Sequence, residues 1–332
     1  MHVLVTGGAG FIGSHLAEWH FRRGDRVHVV DDLSTGRAEN LAWAANDPRF
    51  RFDEADIRTW HGLEAACQWA DRIYHMAAIV GVKKVLKDPV RVVDVNVHTT
   101  EFLLHAVEKA RWMPEIVLAS SSEVYAHSTS EEFSERDDII MRGVSELRWT
   151  YAISKFADEF LASVYCRRLK QKIVIVRLFN TIGPRQVGTY GMVVPTFVGQ
   201  AVVNDDITVY GDGTQKRSFC DVRDAVEILT RLAANPTAHG QVVNVGNAQE
   251  ISMTELAKLV RARAGSSSKI TYTPYVEAYG DGFEDIMRRR PALKRQEELS
   301  GYKPQYLLNR TIDDLIAIAR QRAAELYRAT VR

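Results

Sequence analysis

Long hydrophobic runs are missing from this sequence. No stretch approaches the roughly 20 apolar residues that a membrane-spanning helix needs, which argues against a helical membrane span. Cysteine is scarce: Cys67, Cys166 and Cys220 are widely spaced and odd in number. That pattern gives neither a disulfide framework nor zinc-site spacing, and it fits a reducing cytosol. Charge of one sign is lacking too, since 43 Lys and Arg face 42 Asp and Glu for a net charge of +1. No bulk field is left to attract nucleic acid or an anionic membrane, so any anion must be recognised locally. The histidines His75, His98, His105 and His127 are scattered without ligand spacing, and no metal is expected. Repeats, low-complexity tracts and a disordered linker are also absent. The first strand pattern begins at His2, so we expect no leader segment and a cytoplasmic location.

What is present is an ordinary globular balance, 46% hydrophobic and 26% charged. A chain of 332 residues can build one large or two modest domains. Short apolar runs, HVLVT (2–6), RVHVV (26–30), RIYHM (72–76), EIVLA (115–119) and KIVIVRLF (172–179), alternate with amphipathic stretches. Strands apolar on both faces and separated by helices predict a parallel sheet covered on both sides, the doubly wound Rossmann-type α/β fold. After about residue 180 glycine and proline cluster and strands shorten. We therefore expect a first domain over 1–179 and a smaller mixed α/β domain over 180–332, with later segments crossing back. The polar stretch AHSTSEEFSERDD (126–138) is expected to be a surface loop near the site.

TGGAGFIGSH (6–15) follows the first strand and opens a helix. Gly8, Gly10 and Gly13 fit G-x-G-x-x-G, and Gly7, Gly10 and Gly13 fit the overlapping G-x-x-G-x-x-G. Glycine permits the tight turn and lets backbone approach a pyrophosphate, which the helix N-terminus then attracts. Asp31 ends the second strand about 20 residues on, where an acceptor for the ribose 2′-OH belongs. An acid there repels a 2′-phosphate, so NAD is favoured; Arg37 lies close enough to leave NADP open. Farther along, Tyr151 and Lys155 stand at i and i+4 on a predicted helix and share one face. A nearby ammonium and a nicotinamide cation would bring the phenol into range as a base.

Taken with DDLSTG (31–36), ADI (55–57), HMAA (75–78), Asn96, SSSEVY (120–125), VRLFNTIGPRQ (176–186), VYGDGTQKRSF (209–219) and VNVGN (243–247), these motifs carry a clear resemblance. The chain resembles the extended short-chain dehydrogenases/reductases, in particular their nucleotide-sugar epimerases, dehydratases and decarboxylases, almost end to end. It departs twice: Ala126 stands where the family's VYG has glycine, and NVHTT (96–100) replaces N-V-x-G-T. The resemblance implies an NAD-dependent enzyme in which Tyr151 takes the sugar 4-OH proton, Ser121 shares that hydrogen bond and Lys155 holds the nicotinamide ribose. Gly7, Gly10, Phe11, Ile12 and Gly13 would cradle the cofactor. Asp31, Asp32, Ser34, Gly36, Asp56 and Ile57 would meet its adenosine end, with Ala77, Ala78 and Asn96 beside it. Asn180, Arg217, Val194 and Tyr210 would bind the nucleotide of the substrate. The helix carrying Tyr151 and FLLHAVEKA (102–110) would form a homodimer interface.

Glu123 bears on the reaction. A plain 4-epimerase needs no charged group there, whereas the order Ser121, Ser122, Glu123 resembles the UDP-glucuronate decarboxylases. Glucose dehydratases in the family have an Asp where this chain has Ser122. LRWTYAISK (147–155), TQKRSFCDVRDAVE (214–227) and YGDGFEDIMRRRP (279–291) also resemble the decarboxylase branch. By that resemblance Arg289 assists decarboxylation, although three consecutive arginines leave open which one faces inward. The favoured expectation is UDP-glucuronate decarboxylation through a 4-keto sugar. A UDP-hexose or UDP-hexuronate 4-epimerase, with Arg185 as a carboxylate contact, comes second, and a 4,6-dehydratase third. A redox-inactive NAD-binding scaffold is the non-enzyme alternative, and the intact Tyr151–Lys155 pair argues against it.

Overall fold

The computed structural model describes residues 1–44, 46–141, 146–188, 191–280 and 285–330. Seven strands form one sheet: β1 (His2–Thr6), β2 (Arg26–Asp31), β3 (Phe50–Glu54), β4 (Arg72–His75), β5 (Glu115–Ser121), β6 (Lys172–Leu178) and, much later, β11 (Val242–Val245). Their order is β11-β6-β5-β4-β1-β2-β3, and every pairing is parallel. Val3, Val5, Val117, Val174 and Val243 pack into a core on one side of the sheet, and Leu4, Ile73, Ile116, Leu118 and Ile173 into a core on the other. β-Branched side chains buried on both faces are what a helix-covered parallel sheet requires.

Helices cover the sheet: α1 (Phe11–Arg22), α2 (Leu63–Trp69), α3 (Val82–Lys87), α4 (Pro89–Lys109) and α5 (Thr150–Leu169) fall between the early strands. Beyond β6 come α6 (Val193–Val202), α7 (Val222–Ala234), α8 (Met253–Ala264), α9 (Tyr275–Tyr279), α10 (Lys294–Ser300) and α11 (Leu308–Thr330). Strand order reverses at β1, which lies between β2 and β4. A doubly wound sheet binds ligands at the carboxyl ends of the strands flanking such a switch point.

The second half of the chain adds three small sheets. They are built from β7 (Thr181–Ile182) with β10 (Cys220–Asp221), β8 (Ile207–Tyr210) with β13 (Ile270–Thr273), and β9 (Lys216–Ser218) between β12 (Glu250–Ser252) and β14 (Arg288–Arg289). Val194, Phe197, Val209, Leu256, Val260 and Ile312 form their own core. The parallel register of β14 on β9 sets Arg289 beside Arg217.

A buried polar cluster fixes the seating of α5. Arg177 of β6 donates from Nε and Nη2 to the Glu159 carboxylate at 2.9 and 2.8 Å, and Ser120 Oγ donates to the same group at 2.5 Å. Such a pair, once formed, is costly to break from one side, so α5 cannot slide along the sheet. The residues one and two turns earlier, Lys155 and Tyr151, are thereby placed at the mouth of β5. The 126–138 stretch is pinned rather than free: Phe133 is buried, its N–H donates to Arg290 O at 2.8 Å, and its carbonyl accepts from Ala292 N at 3.0 Å.

Candidate active site

A cleft of about 500 Å3 runs from the glycine turn to β14. At one end Gly7 adopts φ +67°, and a Cβ there would sit 2.7 Å from Ala77 N. A Cβ on Gly13 would overlap the Gly7 carbonyl. The first turn of α1 carries no acidic residue, and its cap, Gly10, has no side chain. Its N–H groups are thus left for an anion. Asp31 lines the wall; its carboxylate accepts from Ala9 N at 3.0 Å and Leu33 N at 2.9 Å. Burial raises its pKa, and those N–H groups oppose the rise. Only glycine at these two positions lets the backbones pack this closely, and the cradle they shape fits a dinucleotide. Arg37 is not among the cleft walls, and its N–H donates to Ala9 O at 3.0 Å.

Phe11, Ile12, Asp32, Ser34, Asp56, Ile57, Ala77 and Ala78 line the same end. Gly36 and Asn96 stand one layer back. A Cβ on Gly36 would lie 2.7 Å from Asp31 Oδ1. Asn96 accepts from Ile79 N at 2.8 Å and donates to Ser154 Oγ at 3.1 Å, which shapes the wall from behind.

Tyr151, in the first turn of α5, meets Ser121 at the end of β5. Burial drives the phenol pKa far above its ordinary value. The Ser121 hydrogen bond and Arg289 oppose this, while the anions of Glu123 and Asp158 add to it. Lys155 has a partner of its own: Nζ donates to Asp158 Oδ2 at 3.0 Å, and both side chains are buried. Sequence alone gave Lys155 one partner, the cofactor; the fold gives it a second, three residues along the same helix.

Glu123 follows directly, on a short 3-10 turn over Ser122–Tyr125 that Ser121 caps by accepting from Glu123 N at 3.2 Å. Its carboxylate pairs with Arg289 Nη1 at 2.9 Å and faces Arg148 Nη2 at 3.7 Å. Burial pushes the Glu123 pKa up, but the two guanidinium groups outweigh it and hold the carboxyl below its usual range. In this arrangement Glu123 is an anion. The three arginines are now told apart: Arg288 pairs with Glu250 at 2.7 Å, Arg290 with Glu132 at 2.9 Å, and only Arg289 turns to Glu123.

Asn180, Val194, Tyr210 and Arg217 line the cleft as well. Arg217 Nη2 donates to Asp285 at 2.8 Å, and Tyr275 OH donates to the same oxygen at 3.0 Å. Arg185 is a correction. It does not line the cleft; its guanidinium pairs with Glu18 and donates to Ser14 Oγ of α1 at 3.3 Å. The backbone of Arg185 is left-handed, φ +68°, and turns the side chain toward α1 instead of inward. Residues 281–284 of the YGDGFEDIMRRRP motif lie outside the described residues.

Three contributors escaped the sequence reading. Arg148 lies 3.7 Å from both Glu123 and Asp285 and stacks on Trp149. Asp285 and Asp158 are the other two. Arg148 and Asp285 sit inside the quoted motifs, but nothing in their spacing reveals that they meet. The two departures have structural outcomes. Thr99 reaches the cleft wall and donates to Asn96 O at 3.1 Å. Ala126 keeps a left-handed φ of +43° and packs its methyl among Trp149 and Ala152.

Comparison with known proteins agrees with this geometry. The model of the NAD dependent epimerase/dehydratase family matches residues 3–246. The chain is 37% identical over 303 residues to UDP-N-acetyl-alpha-D-glucosaminuronate decarboxylase of Bacillus cytotoxicus, covering 91% of this chain and 92% of that one. It is 36% identical over 328 residues to UDP-glucuronic acid decarboxylase 4 of Arabidopsis thaliana, covering 97% and 69%. Its fold superposes with a TM-score of 0.87 on DesIV, the dTDP-glucose 4,6-dehydratase of Streptomyces venezuelae, solved with NAD bound; that match is 26% identical and covers 98% of each chain. With a glycine cradle, a ribose acid and a Tyr–Lys pair in one cleft, the chain belongs to the NAD-dependent epimerase/dehydratase family of enzymes.

Proposed function

We propose that this enzyme decarboxylates a UDP-linked hexuronate after oxidising it at C4, with UDP-glucuronate as the first candidate. The observation that carries this reading is the charge at the deep end of the cleft. Three guanidinium groups, Arg148, Arg217 and Arg289, surround two carboxylates, Glu123 and Asp285. Arg289, paired with Glu123 and close to Tyr151, offers the planar double donor that suits a sugar bringing a carboxylate of its own. The similarity to two hexuronate decarboxylases supports the same reading.

When bound, NAD supplies the hydride acceptor for C4 and a positive charge that favours the Tyr151 phenolate. The chain does the rest. Tyr151 takes the O4 proton, with Ser121 sharing the hydrogen bond and Lys155 holding the cofactor ribose. Arg217 and Asn180 hold the diphosphate, with Val194 and Tyr210 beside the nucleotide. Arg289 orients the C6 carboxylate. Once C4 is a ketone, the C5–C6 bond breaks, CO2 leaves, and its electron pair becomes an enolate whose oxygen faces Tyr151 and Ser121. Because Glu123 is ionised, it is not the donor that returns a proton to C5; that proton comes from a water or from the Tyr151 phenol. Residues 1–179 together with Val242–Val245 are assigned to the cofactor, and most of 180–332 to the nucleotide sugar.

The test is incubation with NAD and either UDP-glucuronate or its 2-acetamido analogue, followed by NMR and mass spectrometry. Release of CO2 from one of them is the expected result. An isomer of unchanged mass would replace this reading with 4-epimerisation.

We also propose a homodimer. Phe102 of α4 and Ile153, Phe160 and Val164 of α5 are all exposed, Phe160 by 62%, an apolar face that two copies would bury as a four-helix bundle. Light scattering should give twice the chain mass, and Phe160→Glu should halve it. A mass of one chain at all concentrations of the unaltered protein would end this proposal.

A further inference from the structure

Asp158 lies outside the cleft, yet it is one of the least accessible charged groups described. The side chain is fully buried and bonds Lys155 Nζ through Oδ2 at 3.0 Å. The same carboxylate also meets the Thr100 hydroxyl, which lies 3.2 Å from Asn96 O. Behind Thr100 stands His75, 3.2 Å from its Oγ1 and 2.7 Å from Thr6 Oγ1 through the other ring nitrogen. Burial, aided by the Lys155 charge, pushes the His75 pKa down to about 3, so the ring is neutral. The remaining acid nearby, Glu159, is matched by Arg177. Lys155 and Asp158 therefore pair as opposite charges, backed by neutral groups from α4, β1 and β4, with Lys155 still on the cleft wall.

From this geometry we propose that Asp158 is a positioning residue that anchors the Lys155 ammonium and balances its charge as felt by Tyr151. The proposal rests on the Tyr151–Lys155 part of the mechanism and not on the identity of the sugar. A lysine with four flexible methylenes has many ways to point, and a buried carboxylate on the same helix leaves it one. The cost falls on Tyr151. With the ammonium balanced, the phenol loses part of the positive field that would make it a base. The other charges facing the phenol, Glu123 and Arg289, and the hydroxyl of Ser121 belong to other elements and do not change when Asp158 is replaced.

The sign of the effect follows. Removing the Asp158 charge removes an anion that disfavours phenolate and exposes the ammonium that favours it. The pH at which Tyr151 loses its proton should fall, so the acid limb of hydride transfer should move to lower pH. Damage to the site would instead slow the reaction at every pH.

The experiment uses the NAD-loaded protein and Asp158→Asn, with Asp158→Glu as the conservative control. Phenolate absorbance is titrated with pH against Tyr151→Phe, a readout that needs no sugar; reduced nicotinamide is then followed in a single turnover with UDP-glucuronate. Asp158→Asn should lower both the phenolate titration and the acid limb by about one pH unit and weaken NAD binding several-fold, while Asp158→Glu restores both. If Asp158→Asn does not fold, Asp158→Ser, which leaves room for a water, provides the same comparison. A titration that stays in place or moves to higher pH overturns the proposal. A shifted titration without turnover overturns the choice of substrate and leaves the role of Asp158 standing.

Discussion

Glu123→Gln is expected to release CO2 about a hundredfold more slowly while reducing NAD at nearly the normal rate, so that a 4-keto hexuronate accumulates. The reason is a difference between ground and transition states. Glu123 is an anion held by Arg289 at 2.9 Å, and the C6 carboxylate of the proposed substrate must share that arginine. Two carboxylates on one guanidinium repel each other. As CO2 forms, the negative charge leaves C6 for the enolate oxygen near Tyr151, and the repulsion is relieved. Only an interaction that changes between the two states alters the rate. Gln is nearly isosteric but uncharged, so it should bind the substrate more tightly and decarboxylate it more slowly, lowering KM and kcat together. Rapid-mixing absorbance of the nicotinamide and a CO2 assay on the same samples separate the steps. Equal loss in both, or loss in neither, would remove Glu123 from the decarboxylation step.

Tyr151→Phe should fail earlier, at hydride transfer itself, by about a thousandfold. No other described side chain at the Ser121 end of the cleft can replace it as a base for O4. His75 is a neutral ring behind the wall, and Glu123 is engaged by Arg289. Because the phenyl ring keeps the packing of α5, thermal unfolding and NAD binding should stay near those of the unaltered protein, and UDP-glucuronate should still bind. A variant that retains rapid NAD reduction would mean that a different group takes the proton.

The two variants divide the reaction, and they also mark what could be read from the chain. Glycine spacing after β1, the acid ending β2 and the pair on α5 are local patterns, each contained in one strand–helix unit whose geometry the sequence dictates. Ser121, Ser122 and Glu123 were legible for the same reason. Pairings made across the fold were not. Arg289 reaches Glu123 because β14 lies in register with β9, a match of two-residue and three-residue strands separated by about 70 positions. No periodicity signals so short a pairing. Arg185 failed in the opposite sense: it belongs to a motif that runs on from β6, but a left-handed backbone turns it onto α1. Asp158 was hidden by its company, since an acid three residues after a lysine on a helix reads as a solvated surface pair until burial is known.

The return of β11 to the large sheet has a consequence for how the protein can be divided. Val242–Val245 is the sole neighbour of β6 on its outer side, in register from Val242↔Ile175 to Val245↔Leu178. A fragment ending at Phe179 would contain every glycine and acid of the cradle, yet would leave a Val- and Ile-rich strand with its backbone unpaired along a whole edge. Such an edge recruits other strands. That fragment is therefore expected to aggregate when expressed alone, where one that kept Val242–Val245 beside β6 would leave no such edge.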